Sequence, residues 1–163
     1  MVWPWGTAVM AVVAVSGPAF AQSERDLQNR YCGGAGMETN VRMPDGTYAD
    51  CLSATHAIEV DFSRKWAEAI GQALHYALWT ADPVWDHDQV SPRRAGIILL
   101  CVSSQDVCTD HFVRLFRVVE SFRLPVTIWD CDPRTDMTLE TCQRVEGDRE
   151  LGTGNKPPAF LSR

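Results

Sequence analysis

Residues Ala95-Gly96-Ile97-Ile98-Leu99-Leu100-Cys101-Val102 form a run that is apolar at almost every position, and it is the most restrictive feature of the sequence. Successive side chains of a strand point to opposite faces, so a strand without a polar face must be covered on both sides. The run therefore predicts a central strand in a sheet with helices above and below. The flanking sequence supplies those helices. Trp66, Ile70, Ala73, Leu74 and Ala77 recur at helical spacing behind Ser63, which predicts a helix over 64–79 with Ser63 as N-cap. Phe112, Leu115, Phe116, Val119 and Phe122 predict a second amphipathic helix over 106–122. His56 to Phe62 alternates, with Ile58, Val60 and Phe62 on one face and Glu59 and Asp61 on the other. Thr39–Met43 and Tyr48–Leu52 flank the turn Pro44-Asp45-Gly46-Thr47 and read as a hairpin. Leu124–Trp129 reads as a last strand. The order hairpin, strand, helix, strand, helix, strand predicts a three-layer α/β domain with a mixed sheet.

This domain is expected over 22–130, followed by a polar tail over 131–163 with little periodicity. Ahead of it, Met1–Ala21 has no charged side chain, a short apolar centre from Ala8 to Val15, and the small-x-small sequence Ala19-Phe20-Ala21. This reads as a signal peptide spanning 1–21 and implies an exported chain, periplasmic or secreted. The apolar centre is shorter than the ~20 residues that span a bilayer, so no stable membrane insertion is expected once it is cut. Six cysteines follow: Cys32, Cys51, Cys101, Cys108, Cys131 and Cys142. An even count in an oxidising compartment implies disulfides. Proximity in sequence suggests Cys32–Cys51, Cys101–Cys108 and Cys131–Cys142, and no C-x-x-C spacing points to zinc or redox chemistry. The glycine-rich stretch Tyr31–Gly36 lacks the Lys and Ser/Thr of a phosphate loop and reads as a turn.

Asp50, Glu59 and Asp61 carry the chemical interest. Asp50 lies near the end of the second hairpin strand and Glu59 in the middle of the third. On adjacent strands their carboxylates converge. Such oxygens suit Mg2+, or Mn2+ in its place, a cation that takes one or two carboxylates and leaves room for water and substrate phosphate. At ~100° per residue, Lys65, Gln72 and Tyr76 share one helix face, away from the apolar stripe. Lys65 there could position an attacking water and balance charge, with Gln72 and Tyr76 as hydrogen-bond donors.

The runs Pro44–Cys51, Glu59–Phe62, Lys65-Trp66 and Gln72–Tyr76 together resemble the PD-(D/E)XK nuclease superfamily. The likeness is to the branch of archaeal Holliday-junction resolvases and the nuclease domains of recombination exonucleases. It implies a restriction-endonuclease-like core and Mg2+-dependent cleavage of DNA or RNA phosphodiesters. By that resemblance Asp50 and Glu59 hold the metal, Gln72 and Tyr76 match a Gln-x-x-x-Tyr helix pattern, and Glu38 stands for a first-helix glutamate. The family's Lys, two residues after the second carboxylate, is here Asp61. Lys65 is then a migrated replacement, or Asp61 a third metal ligand, or the site inactive.

The ordinary alternatives are definite. Asp50 could bond backbone amides after a turn, Glu59 and Asp61 could line the solvated face of an edge strand, and Lys65 could pair with Glu68 or Asp61. His56 and His75 are expected to be structural, and Trp85-Asp86-His87-Asp88 a solvated loop. The net charge of −6, with no basic segment, disfavours nucleic acid as a partner. Binding it would need a local groove of Lys65, Arg93, Arg94, Arg114 and Arg117. Two functions follow: an exported Mg2+-dependent nuclease, or a catalytically inactive, disulfide-stapled binding or scaffold module on the same core. A secreted effector or other hydrolase is a third, weaker reading.

Overall fold

The structure, a computed structural model, describes residues 23–81 and 93–147. The expected signal peptide, the Trp85–Asp88 cluster and the end of the chain lie outside these residues. β1 (Glu38–Arg42), β2 (Tyr48–Leu52), β3 (His56–Phe62), β4 (Arg94–Leu100), β5 (Val126–Cys131) and β6 (Gln143–Glu146) form one six-stranded sheet in sequence order. The β1–β2, β2–β3 and β5–β6 pairs are antiparallel, and β3–β4 and β4–β5 are parallel. The fold is α/β with a mixed sheet, as the patterning implies.

Each parallel step needs a crossover, and the two amphipathic segments provide them. α2 (Trp66–Thr80) joins β3 to β4, and α3 (Gln105–Ser121) joins β4 to β5. Both cover one face, where Ala69, Ala73, Phe112, Leu115 and Val119 bury against Ala95, Ile97, Leu99, Val126 and Ile128. α1 (Glu24–Gln28) and the π-helical turn Asn29–Gly33 cover the other, where Leu27 and Tyr31 meet Ile58, Val60, Ile98, Leu100 and Trp129. Both faces of β4 are thus buried, which is why its sequence has no polar side. Gly96 is in that strand because a Cβ there would lie 2.8 Å from Ile58 Cγ1 and 2.9 Å from Trp129 Cζ3. Gly46 takes φ +89° in the hairpin turn, where Asp45 accepts from the Thr47 amide and hydroxyl.

Three features differ from expectation. The segment 131–163 is not a tail throughout, since β6 extends the sheet beyond β5 and Cys131 ends β5 itself. A four-residue strand held by a disulfide carries too short a pattern for periodicity to register. α2 begins at Trp66, after a 3-10 turn over Ser63–Lys65, and the Ser63 hydroxyl caps nothing. It meets His111 Nδ1 of α3 at 3.1 Å instead. The last long strand starts at Val126, because Pro125 has no N–H for the ladder. The disulfides are Cys32–Cys51, Cys101–Cys108 and Cys131–Cys142. Among the described residues no helix is long and apolar enough to cross a membrane.

Candidate functional site

β2 and β3 are paired over only part of their length, at Leu52↔Ala57 and Cys51↔Ile58. Beyond Ile58 the pairing stops, and a side chain takes the place of a main-chain partner between the strands. That side chain is Asp50, which accepts the Val60 amide through Oδ2 at 2.8 Å. Its main-chain carbonyl accepts Nε2 of the buried Gln28 at 2.6 Å. Asp50 does bond a backbone amide, but one belonging to the neighbouring strand rather than to its own turn.

Glu59 and Asp61 share the face opposite Ile58 and Val60, as alternation requires. They do not line the solvated face of an edge strand. β3 is an inner strand, and the two residues are only 6 % and 1 % exposed. A carboxylate in that setting costs free energy unless something compensates its charge. Burial pushes Asp50 up to about 6. Burial first, then the charges of Asp50 and Asp61, pushes Glu59 up to about 9. Asp50 and Glu59 are hydrogen-bonded to each other, so the pair retains a proton at neutral pH. Asp61 is raised too, chiefly by burial, with Lys65 acting the other way.

Lys65 is the cation of the cluster. Its Nζ lies 3.0 Å from Asp61 Oδ1 and 3.5 Å from Glu24 Oε2, and its value is raised, chiefly by the Asp61 contact. The partner is Asp61 rather than Glu68. Lys65 belongs to the 3-10 turn, so the helical rotation that grouped it with Gln72 and Tyr76 does not apply to it. Those two are joined directly: the Tyr76 hydroxyl donates to Gln72 Oε1 at 3.2 Å and also faces Glu59. Burial, followed by the Glu59 and Asp50 charges, keeps the Tyr76 phenol protonated.

The structure thus brings together Asp50, Glu59, Asp61 and Tyr76, with Lys65 joined through Asp61 and Gln72 through Tyr76. Glu38 stands apart from the first helix: it opens β1 with an exposed side chain opposite Leu52. The acidic residue that the first helix does bring is Glu24, whose charge acts on Asp50, Glu59 and Asp61. Sequence reasoning missed Glu24 and Gln28. A five-residue helix is too short for periodicity, but the capping box of Ser23 with Asp26 was a readable start signal. Of the cations that a nucleic-acid groove would need, Arg94 and Lys65 lie far apart. Arg94 pairs with Glu146 at the opposite end of the parallel strands, about 20 Å from Lys65 at ~3.3 Å per residue. Arg114 and Arg117 are exposed on α3. The cation that meets this carboxyl cluster is Lys65, through Asp61 and Glu24, while the exposed Arg64 lies over the Phe62 ring.

Among the described residues no three His, Cys, Asp or Glu side chains form a ready-made metal cage. Asp50 and Glu59 offer two converging oxygen donors, and Asp61 is engaged by Lys65. That donor set fits a hard divalent cation that keeps water and substrate oxygens in its other positions. His56 and His75 are structural. His56 Nε2 meets Thr127 Oγ1 at 2.9 Å, which in turn donates to Glu146 at 2.7 Å. His75 ties α2 to Asp45 of the hairpin turn at 2.6 Å.

Comparison of the chain with protein-family models, with curated proteins and with solved structures found no match.

Proposed function

We propose that this protein is a divalent-cation-dependent phosphodiesterase of the PD-(D/E)XK nuclease type, acting on DNA or RNA outside the cytoplasm. The observation that carries this reading is the pairing of Asp50 with Glu59 between β2 and β3, next to the buried Asp61 that holds Lys65. A fold tolerates such a cluster when a ligand relieves it, and strongly shifted carboxyls gather at functional sites. The restriction-endonuclease-like core belongs to this proposal. Its support is the order of hairpin, third strand, helix and parallel fourth strand around the carboxylates.

Asp50 and Glu59 would hold Mg2+ or Mn2+. The bound cation supplies Lewis-acid polarisation of the phosphoryl group and offsets developing negative charge. The protein's own groups do the rest. Lys65 Nζ, anchored by Asp61, donates to the attacking water and fixes its approach to phosphorus. Asp61 holds Lys65 in place and is not itself needed as a ligand. The Tyr76 hydroxyl fixes Gln72 by its carbonyl oxygen and leaves the Gln72 amide nitrogen to donate to a phosphate oxygen.

The second reading is a catalytically inactive exported module on the same core. It draws on Asp61 standing where the family has its Lys and on Lys65 being engaged by two carboxylates. Cleavage of single- and double-stranded DNA and RNA by the oxidised mature chain separates the two. The nuclease reading expects Mg2+- or Mn2+-dependent cutting that Glu59→Ala and Lys65→Ala abolish with folding intact. No cutting with either metal, together with no cation binding, leaves the inactive module. Normal cutting by Lys65→Ala removes Lys65 from the mechanism.

A further inference from the structure

α1 is fastened to β2 at the residue that would hold the cation. Gln28 is 4 % exposed and donates to the Asp50 carbonyl. One residue along β2, Cys51 is bonded to Cys32 of the π-helical turn that continues α1. Both half-cystines are fully buried. Such π-helical turns, rare in general, concentrate at functional sites. The other polar anchors of this segment, Arg30 and Tyr31, reach main-chain oxygens of Pro133 and Asp136 in the loop after β5. The two links to β2 therefore act on the strand position that carries Asp50. The same helix delivers Glu24 to Lys65.

We propose that Gln28 and the Cys32–Cys51 disulfide form a clamp that sets Asp50 for a divalent cation, so that the site is assembled only in the oxidised protein. The proposal rests on the nuclease reading of this site and adds its control. On oxidation the Cys32 and Cys51 thiols lose two protons and two electrons, and one S–S bond forms. A protein disulfide oxidant takes up the electrons and is reduced to its dithiol. While the chain is reduced, α1 lacks its covalent hold on β2, Asp50 is free to leave the position fixed by Val60, and the cation site is weak. A nuclease built this way stays silent in a reducing compartment and becomes competent on reaching an oxidising one.

Two variants test this: Cys32→Ala/Cys51→Ala, which retains the other two cystines, and Gln28→Ala, which retains all three. Two quantities are measured in each, Mn2+ affinity by calorimetry and hydrogen exchange of the Val60 amide. That amide donates to Asp50 Oδ2 and so reports the position of the carboxylate without metal. Mn2+ affinity is expected to fall roughly tenfold or more in the double variant and several-fold in Gln28→Ala. Val60 exchange is expected to accelerate about tenfold while the amides of Ile97 and Ile98 in β4 keep their protection. Unchanged Val60 exchange, or unchanged Mn2+ affinity, in folded variants overturns the clamp. If the double variant loses protection throughout β4 it has not folded, and Gln28→Ala decides. If the wild-type protein binds no Mn2+, the nuclease reading falls, while Val60 exchange still decides whether the clamp positions Asp50.

Discussion

Glu59→Gln should make the metal-free protein more stable. Glu59 is almost fully buried, and burial with the neighbouring Asp50 and Asp61 charges raises its carboxyl from 4.5 to about 9. A carboxyl raised on folding contributes stability that is fully present below the unfolded value and is lost as pH rises through the folded one. At pH 7 the folded protein still keeps the proton that the unfolded chain has released. Each pH unit above 4.5 is worth about 1.4 kcal/mol, so the loss at pH 7 is about 3 kcal/mol. Gln has the same shape and no charge to suppress. The variant should gain about 2–3 kcal/mol at pH 7, more at pH 8.5 and almost nothing at pH 4.5. At this chain length the gain at pH 7 corresponds to roughly 10 °C in Tm. The assay is thermal and urea unfolding in EDTA at those three pH values, with disulfides intact. Magnesium should reverse the ranking's cause: at ten times its Kd it stabilises the wild type by about 1.4 kcal/mol and leaves the variant unmoved. A Glu59→Gln protein no more stable than wild type at pH 8.5 without metal, or two pH profiles running parallel, refutes the reasoning.

Lys65→Ala leaves the buried Asp61 without its cation and should lower stability by about 1–2 kcal/mol, discounted because Lys65 is itself part-exposed, with a larger loss at pH 8 than at pH 5. Urea unfolding at the two pH values measures it, and equal losses would mean that Asp61 does not depend on Lys65. Thr127→Val breaks the buried chain from His56 through Thr127 to Glu146, and its urea midpoint should fall by the equivalent of about 1–3 kcal/mol at constant slope. Gly147→Ala sets a Cβ 2.3 Å from Val119 Cγ1 and 2.6 Å from the Leu124 carbonyl oxygen, and should destabilise by about 1–3 kcal/mol. A neutral result in a thermal melt would place the chain after β6 elsewhere.

The strands and helices legible in the sequence were those with a strong one-dimensional pattern. β3 and β4 declared themselves through alternation and through its absence, and α2 and α3 through their apolar stripes. Those patterns report burial, and in this fold burial is set by the sheet. The three cystine links join neighbours in sequence because each closes a local corner: α1 to β2, β4 to α3, and β5 to the turn before β6. β6 escaped notice because four residues on a sheet edge carry little pattern. Within the site, Asp50, Glu59 and Asp61 could be read because strand alternation fixes their side. Lys65 could be read from its place just after β3, but not from a shared helical face with Gln72 and Tyr76, since a 3-10 turn aims it. Glu24 and Gln28 could not be placed, because which short helix covers which end of a sheet is a tertiary fact. The same holds for the arginines: Arg94 and Lys65 follow from two parallel strands but sit at opposite ends of them.

Crystals of the oxidised protein soaked in Mn2+ and measured for anomalous scattering would test the central claim most directly. The account predicts one strong peak between β2 and β3, roughly 2.0–2.2 Å from oxygens of both Asp50 and Glu59, with Lys65 still on Asp61. A peak bound by other residues, or Asp50 and Glu59 without density between them at saturating Mn2+, would contradict it.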